Sequence, residues 1–142
     1  HKKHFPTAWV CSANYYFERE AMLADKTYLE VFNPALLSNA HGECLRNFLM
    51  GIDTIRHNQE DENVIIDNTS CSLIEVAPYI AISNAYGITP RVIRFESTFD
   101  LCLARNQHNV PASTIKGQLW NLEQSIKYWP KYWPEEEVIN VQ

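Results

Sequence analysis

The stretch "NVIIDNTS", residues Asn63–Ser70, runs three β-branched aliphatics into an aspartate, an asparagine and two hydroxyl residues, with no glycine or proline to mark an ordinary turn. Val64, Ile65 and Ile66 show no alternation of apolar and polar residues, the pattern of a strand covered on both faces. A strand of this kind that stops on a carboxylate puts Asp67 at its carboxyl end, where open parallel sheets bind ligands. Asp67 suits a hard cation such as magnesium, held through water. Asp67, Asn68 and Thr69 equally suit satisfying the free amides of a turn or of the next helix.

Working outward, "AWVCSA" (8–13) is a short apolar run that predicts a second buried strand, and "NYYFERE" follows it as a loop or first helical turn. "MLADKTYLEVFNP" has mixed character and reads as an irregular insertion stopped by Asn33 and Pro34. From Ala35, residues Leu36, Leu37, Ala40, Cys44, Leu45, Phe48, Leu49 and Ile52 recur at helical spacing, which predicts a long helix to about Thr54 or a little beyond. "RHNQEDE" is then a solvated connection.

Beyond the opening stretch, "LIEVAPYIAISNAYG" predicts a helix closing on Gly87, with Pro78 tolerated in its first turn. "RVIRFE" predicts a third strand and "TFDLCLARN" a short helix. "PASTIKGQLWNLEQSIKYW" predicts a longer helix opened by proline and a Ser/Thr cap. The tail "KYWPEEEVINVQ" supplies an edge strand or wraps the surface. Strand and helix alternate in ~30-residue units, the signature of right-handed crossovers and one parallel sheet in an α/β fold. "CSAN" then occupies the same working edge as Asp67, one strand away.

With 142 residues, 46% of them apolar, and four tryptophans, the chain is expected to form one domain over 1–142. No stretch is long or apolar enough to cross a bilayer and no leader pattern opens these residues, so the expected setting is cytoplasmic. Cys11, Cys44, Cys71 and Cys102 are widely spaced in apolar segments and read as reduced core residues. The sequon Asn68-Thr69-Ser70 follows a strand expected to be buried and is set aside. A net charge of −5 and a pI near 5.5 argue against coating nucleic acid by bulk electrostatics. Arg91, Arg94, Arg105, Lys116, Lys127 and Lys131 leave a local basic groove open.

Arg105, in "LARNQHNVP", falls on a connection between two helices, where its planar fork is suited to a phosphoryl group. Tyr15, Tyr16 and Phe17 suit stacking a base or packing the loop on the sheet. His41 lies one step from the apolar stripe of the long helix and reads as structural. Trp129, Tyr132 and Trp133, spaced by prolines, suit either a protein interface or packing on their own domain.

Together "CSANYYFE", "FNPALLSNAHGECLRNFL", "NVIIDNTSCSLIEVAPYIAISNAYG" and "LARNQHNVPASTI", in that order, resemble the polynucleotide-kinase-like branch of P-loop kinases. That branch includes bacterial and phage 5′-hydroxyl kinases and the NEDD4-binding-protein-2-like ATPases. The resemblance spans residues 5 to 129 and implies a P-loop NTPase-like three-layer sandwich with a parallel sheet, using ATP and Mg2+ to phosphorylate a nucleic-acid or nucleotide hydroxyl. By it, Asp67, Asn68 and Thr69 match a "DNTN" element near metal and acceptor, with Ser70 in place of its second asparagine. Arg105 matches the arginine of a lid motif, "RNxHGVP", in which Asn109 replaces the glycine. Tyr16, as a residue that can stack a base, joins Asn68 and Thr69 as a candidate substrate contact.

Two departures bear on activity. The family places an aspartate after "CSA" to accept the proton of the attacking hydroxyl; here Asn14 stands, which orients an acceptor without serving as a base. These residues also contain no G-x-x-x-x-G-K followed by Ser or Thr, the loop whose amides and lysine hold the phosphates. The family's motif order puts that loop just before "HKKHF", the expected end of the helix that follows it. The expectation is therefore an impaired phosphotransferase. Its alternative is an inactive kinase-like domain that binds nucleic acid or a protein partner.

Overall fold

The structure, a computed structural model, describes residue 5, residues 7–58 and residues 63–141. The helix end expected in "HKKHF" and the acidic run at residues 60–62 fall outside or almost wholly outside the described residues. The chain resolves into two compact units, one ending at Thr69 and the other beginning at Ser70.

The first unit carries β1 (Trp9–Cys11), α1 (Asn14–Ala24), α2 (Tyr28–Val31), a 3-10 turn (Pro34–Leu36), α3 (Leu37–Asn58) and β2 (Val64–Ile66). β1 and β2 pair in parallel, with Trp9 opposite Val64 and Cys11 opposite Ile66. Between them lies α3, the long crossover that a parallel pair requires. Its Ala40, Cys44, Phe48 and Ile52 are buried at four-residue spacing, the stripe that the sequence predicts. The helix runs to Asn58, so the first residues of "RHNQEDE" are helical rather than loop.

Residues 14–31 differ from expectation. "NYYFERE" and "MLA" form one continuous helix, and part of the expected irregular insertion is helix α2. α1 stops because Asp25 turns left-handed at φ 53°, which lets the Lys26 N–H reach Ala21 O at 2.9 Å. α2 starts because Thr27 and Glu30 cap each other: the Thr27 N–H donates to Glu30 Oε2 at 2.8 Å. β2 is half-buried, not covered on both faces; among the described residues α3 is the helix that packs on both strands of the pair.

The second unit carries α4 (Leu73–Ala85), β3 (Val92–Glu96), α5 (Phe99–Ala104), α6 (Ala112–Lys127) and β4 (Glu136–Asn140). The tail is the edge strand: β4 lies parallel to β3, with Val92 opposite Glu136 and Glu96 opposite Asn140. Gly87, at φ 70°, ends α4 as expected; the Ile88 N–H returns to Ser83 O at 2.9 Å and the Gly87 N–H to Asn84 O at 3.0 Å. Pro78 sits past the first turn, inside α4, where it removes one helical hydrogen bond. α6 opens on Pro111 with no side-chain cap, so Ser113 and Thr114 lie within the helix instead of capping it. Among the described residues, Ile80 and Ile115 are this unit's buried hydrophobic side chains, a thin core.

The α/β class and the parallel strand direction hold, but not as one continuous sheet. The described residues form two parallel pairs, β1 with β2 and β3 with β4. Every other described segment is helix or loop, so neither pair gains a third strand. No helix among the described residues is long and apolar enough to cross a membrane.

Candidate functional site

The parallel pair brings two chain turns to one edge. The Asp67 N–H donates to Cys11 O at 2.9 Å, closing the ladder where both strands end. Ser12–Asn14 leaves β1 and Asp67–Thr69 leaves β2 at the same carboxyl end. Asn14, Asp67 and Thr69 are exposed there.

Asn68 ties the two turns together. Its Oδ1 accepts from the Ala13 N–H at 2.8 Å, and its Nδ2 donates to Cys44 Sγ at 3.4 Å, so one amide bridges the end of β1 to α3. Ala13 caps α1, and the Asn14 N–H donates to Ser12 Oγ at 3.3 Å. The Asn14 side chain has a partner of its own, the Tyr28 hydroxyl, which donates to Oδ1 at 3.0 Å.

Tyr16 is half-buried, edge-on to Phe17 with ring centroids 5.1 Å apart, and the Arg19 guanidinium lies 5.3 Å above its ring. Tyr15 is the more exposed neighbour; burial first, then the carboxylates of Glu18 and Asp67, push its phenol above the usual range.

Arg105 belongs to the second unit. It caps the end of α5, exposed, and opens the connection to α6. The loop behind it is closed by Asn106, whose side chain accepts from the Val110 N–H at 3.0 Å and donates to Val110 O at 2.8 Å. Asn109 takes the left-handed conformation at φ 52°. Ser70 is left-handed as well, at φ 45°. Both lie where the backbone itself favours Gly or Asn.

A cleft of about 310 Å³ lies in the second unit between the start of α4 and the far half of α6, lined by Leu73, Ile74, Gln124 and Tyr128 among others. None of the residues singled out from the sequence lines it. Among the described residues no three His, Cys, Asp or Glu side chains gather to hold a metal directly. One exposed carboxylate at a strand end, Asp67, fits an outer-sphere role toward a hydrated magnesium ion and no more. All four cysteines are free, Cys11 and Cys44 buried. In the tail, Trp129 and Trp133 meet edge-on at 5.0 Å and the Trp129 indole donates to Pro134 O at 2.9 Å, while Tyr132 stands exposed.

Sequence reasoning passed over Tyr28 and Asn106. Tyr28 lies in a segment without periodicity, and nothing in the chain order connects it to Asn14. Asn106 carries a signal, an Asn four residues before a Val-Pro step, where a side-chain amide can mimic a turn's backbone. Compared with known protein families the chain matches no family model, and a comparison with curated proteins finds no match.

Proposed function

We propose that the chain carries the acceptor side of a polynucleotide-kinase-like phosphotransferase, acting from ATP on a nucleic-acid or nucleotide hydroxyl, and that it is impaired at its base. One observation carries the reading: the Ser12–Asn14 and Asp67–Thr69 turns share the carboxyl edge of one parallel pair and are bridged by Asn68. In this reading Asp67 holds Mg2+ through water, and Thr69 and Asn14 orient the acceptor hydroxyl; by the resemblance alone, Arg105 of the second unit is the phosphate-binding arginine of the lid motif. ATP supplies the phosphoryl group; its cradle is expected from a loop outside these residues. A P-loop NTPase-like three-layer sandwich belongs to the same reading. The mixed α/β class and the parallel direction of both strand pairs support it.

The test is phosphate transfer from ATP to a 5′-hydroxyl oligonucleotide by the full protein. Asn14→Asp restores a carboxylate where a base is needed and is expected to raise the rate on the order of 10²-fold. No gain sinks the assignment of residue 14.

A second reading, a binding domain without turnover, is favoured by the Tyr28 bond to Asn14, which occupies the amide oxygen. It predicts oligonucleotide or protein binding by this chain with no saturable binding in an ATP titration.

A further inference from the structure

The cleft of about 310 Å³ in the second unit takes one wall from the start of α4 and the other from the far half of α6. Its two serines spend their hydrogens on the protein itself. The Ser72 N–H and hydroxyl both donate to Glu75 Oε2 at 2.9 Å, and the Ser125 hydroxyl donates to Cys71 O at 3.0 Å. Asn121 and Gln124, three residues apart on one stripe of α6, are different: neither side-chain amide has a hydrogen bond to a described residue. Between them the walls are apolar and open, for Ile74 on α4 is 85% exposed and Tyr128, which caps the end of α6, is 63% exposed. No charged side chain lines the cleft. On its α6 rim, however, Lys127 Nζ lies 5.2 Å from the centre of the Tyr128 ring. Glu123 stands four residues earlier on the same helix, the spacing for an ion pair, and the two do not pair. A cation is thus held at the aromatic wall with no described carboxylate to neutralise it.

We propose that this cleft docks a short acidic peptide segment, with an apolar side chain between Ile74 and Tyr128, its peptide groups on the Asn121 and Gln124 amides, and an adjacent carboxylate on Lys127. The peptide follows from the amides, since each presents one donor end and one acceptor end, the complement of a peptide group. The apolar side chain follows from Ile74 and Tyr128, whose exposed surface gains by leaving water. The acid follows from the unpaired Lys127, which meets a carboxylate in a cleft that has no negative charge of its own to repel it. The volume sits near the lower end of ligand clefts, about 300 Å³, and suits one large side chain with its flanking peptide groups. A nucleic-acid strand finds less here: one cation, and an isoleucine in place of a second ring on which a base could stack. The cleft shares no residue with the strand-end edge of the first unit, so its occupancy stands apart from the phosphotransferase reading.

The test titrates three acetylated and amidated pentapeptides into the isotope-labelled full chain: a leucine between two aspartates with glycine ends, the same peptide with asparagines for the aspartates, and the same with serine for the leucine. The Asn121 and Gln124 side-chain amide signals are expected to shift with the first. The asparagine peptide is expected to bind about threefold to fivefold more weakly, and the serine peptide about tenfold more weakly. Lys127→Gln should level the aspartate and asparagine peptides. Ile74→Ser removes a side chain that is already in water, so the unfolding midpoint should hold while the aspartate peptide loses about threefold to tenfold in affinity. Equal binding of the aspartate and asparagine peptides by the unaltered chain overturns the acidic class. Binding that Ile74→Ser leaves unchanged lies elsewhere and overturns the site, and unmoved amide signals with every peptide at millimolar concentration overturn the proposal outright. A thymidine oligonucleotide that shifts the same two amides where the peptides do not, and loses that effect in Ile74→Ser, assigns the cleft to nucleic acid and overturns the peptide.

Discussion

The Trp9 indole lies directly against the Cα of Gly51. A β-carbon there would stand 2.8 Å from Trp9 Cδ1 and 3.1 Å from Cγ and Nε1, inside van der Waals contact. The ring is not free to retreat, because its Nε1 donates to Asn47 Oδ1 at 3.1 Å, and Asn47 in turn donates to Val10 O at 3.4 Å. α3 and β1 therefore touch through a missing side chain. Gly51→Ala is expected to cost about 1–3 kcal/mol, read from urea unfolding followed by tryptophan fluorescence. Combined with Trp9→Leu, the loss should be less than additive, since the smaller side chain vacates the clash. Full additivity would mean that the two residues do not meet.

Asn68 offers a second check, on the candidate edge itself. Asn68→Ala leaves the Ala13 N–H without its partner and removes the Cys44 contact, for an expected loss of about 1–3 kcal/mol. Asn68→Asp keeps an acceptor for Ala13 and should lose less. Hydrogen exchange at the Ala13 amide separates the two, rising in the alanine variant and staying protected in the aspartate variant.

Which of these features the sequence announces depends on how local they are. The α3 stripe is readable because Ala40, Cys44, Phe48 and Ile52 repeat with the helical period, and Asp67 because a β-branched run stops on it. α2 is not readable: four residues have no period, and their helix rests on the Thr27–Glu30 cap and on rings contributed by Phe17 and Phe32. Ladder partners are likewise set by tertiary packing. The strand patterns of Trp9–Cys11, Val64–Ile66, Val92–Glu96 and Glu136–Asn140 are local, and nothing in them says that they sort into two pairs rather than one sheet. The Tyr28–Asn14 bond joins two turns of the chain across α1 and leaves no trace in spacing.

Two of the left-handed residues, Ser70 and Asn109, make opposite predictions. Ser70, at φ 45°, has neither the freedom of glycine nor the tolerance of asparagine, so Ser70→Gly or Ser70→Asn is expected to raise stability by up to about 1 kcal/mol. Asn109, at φ 52°, is already a residue that accepts this conformation, so Asn109→Gly should be nearly neutral and Asn109→Val should cost about 1–2 kcal/mol. Thermal unfolding of the four variants decides it. A stabilising Asn109→Val would show that the backbone there is not left-handed.

Cys11 predicts how the protein meets alkali. The thiol is fully enclosed, at 0% exposure, and burial, with Cys44 beside it, pushes its pKa up from 9.0 to about 12. The folded value lies above the unfolded one, so the folded form binds the proton more tightly, and this contribution is complete below pH 9. Above that, the unfolded chain ionises its thiol while the folded chain does not, and stability falls until the pH approaches 12. Cys11→Ala removes the titrating group. Measured by urea unfolding at steps from pH 8 to pH 11, the wild type should lose stability more steeply than Cys11→Ala, whose lower starting stability reflects the vacated volume. The native thiol should also resist iodoacetamide at pH 8, since the reactive thiolate is not formed in the enclosed site. Parallel stability curves for the two proteins, or rapid alkylation of Cys11 in the folded state, would place that thiol in contact with water and remove the packing argument for the end of β1.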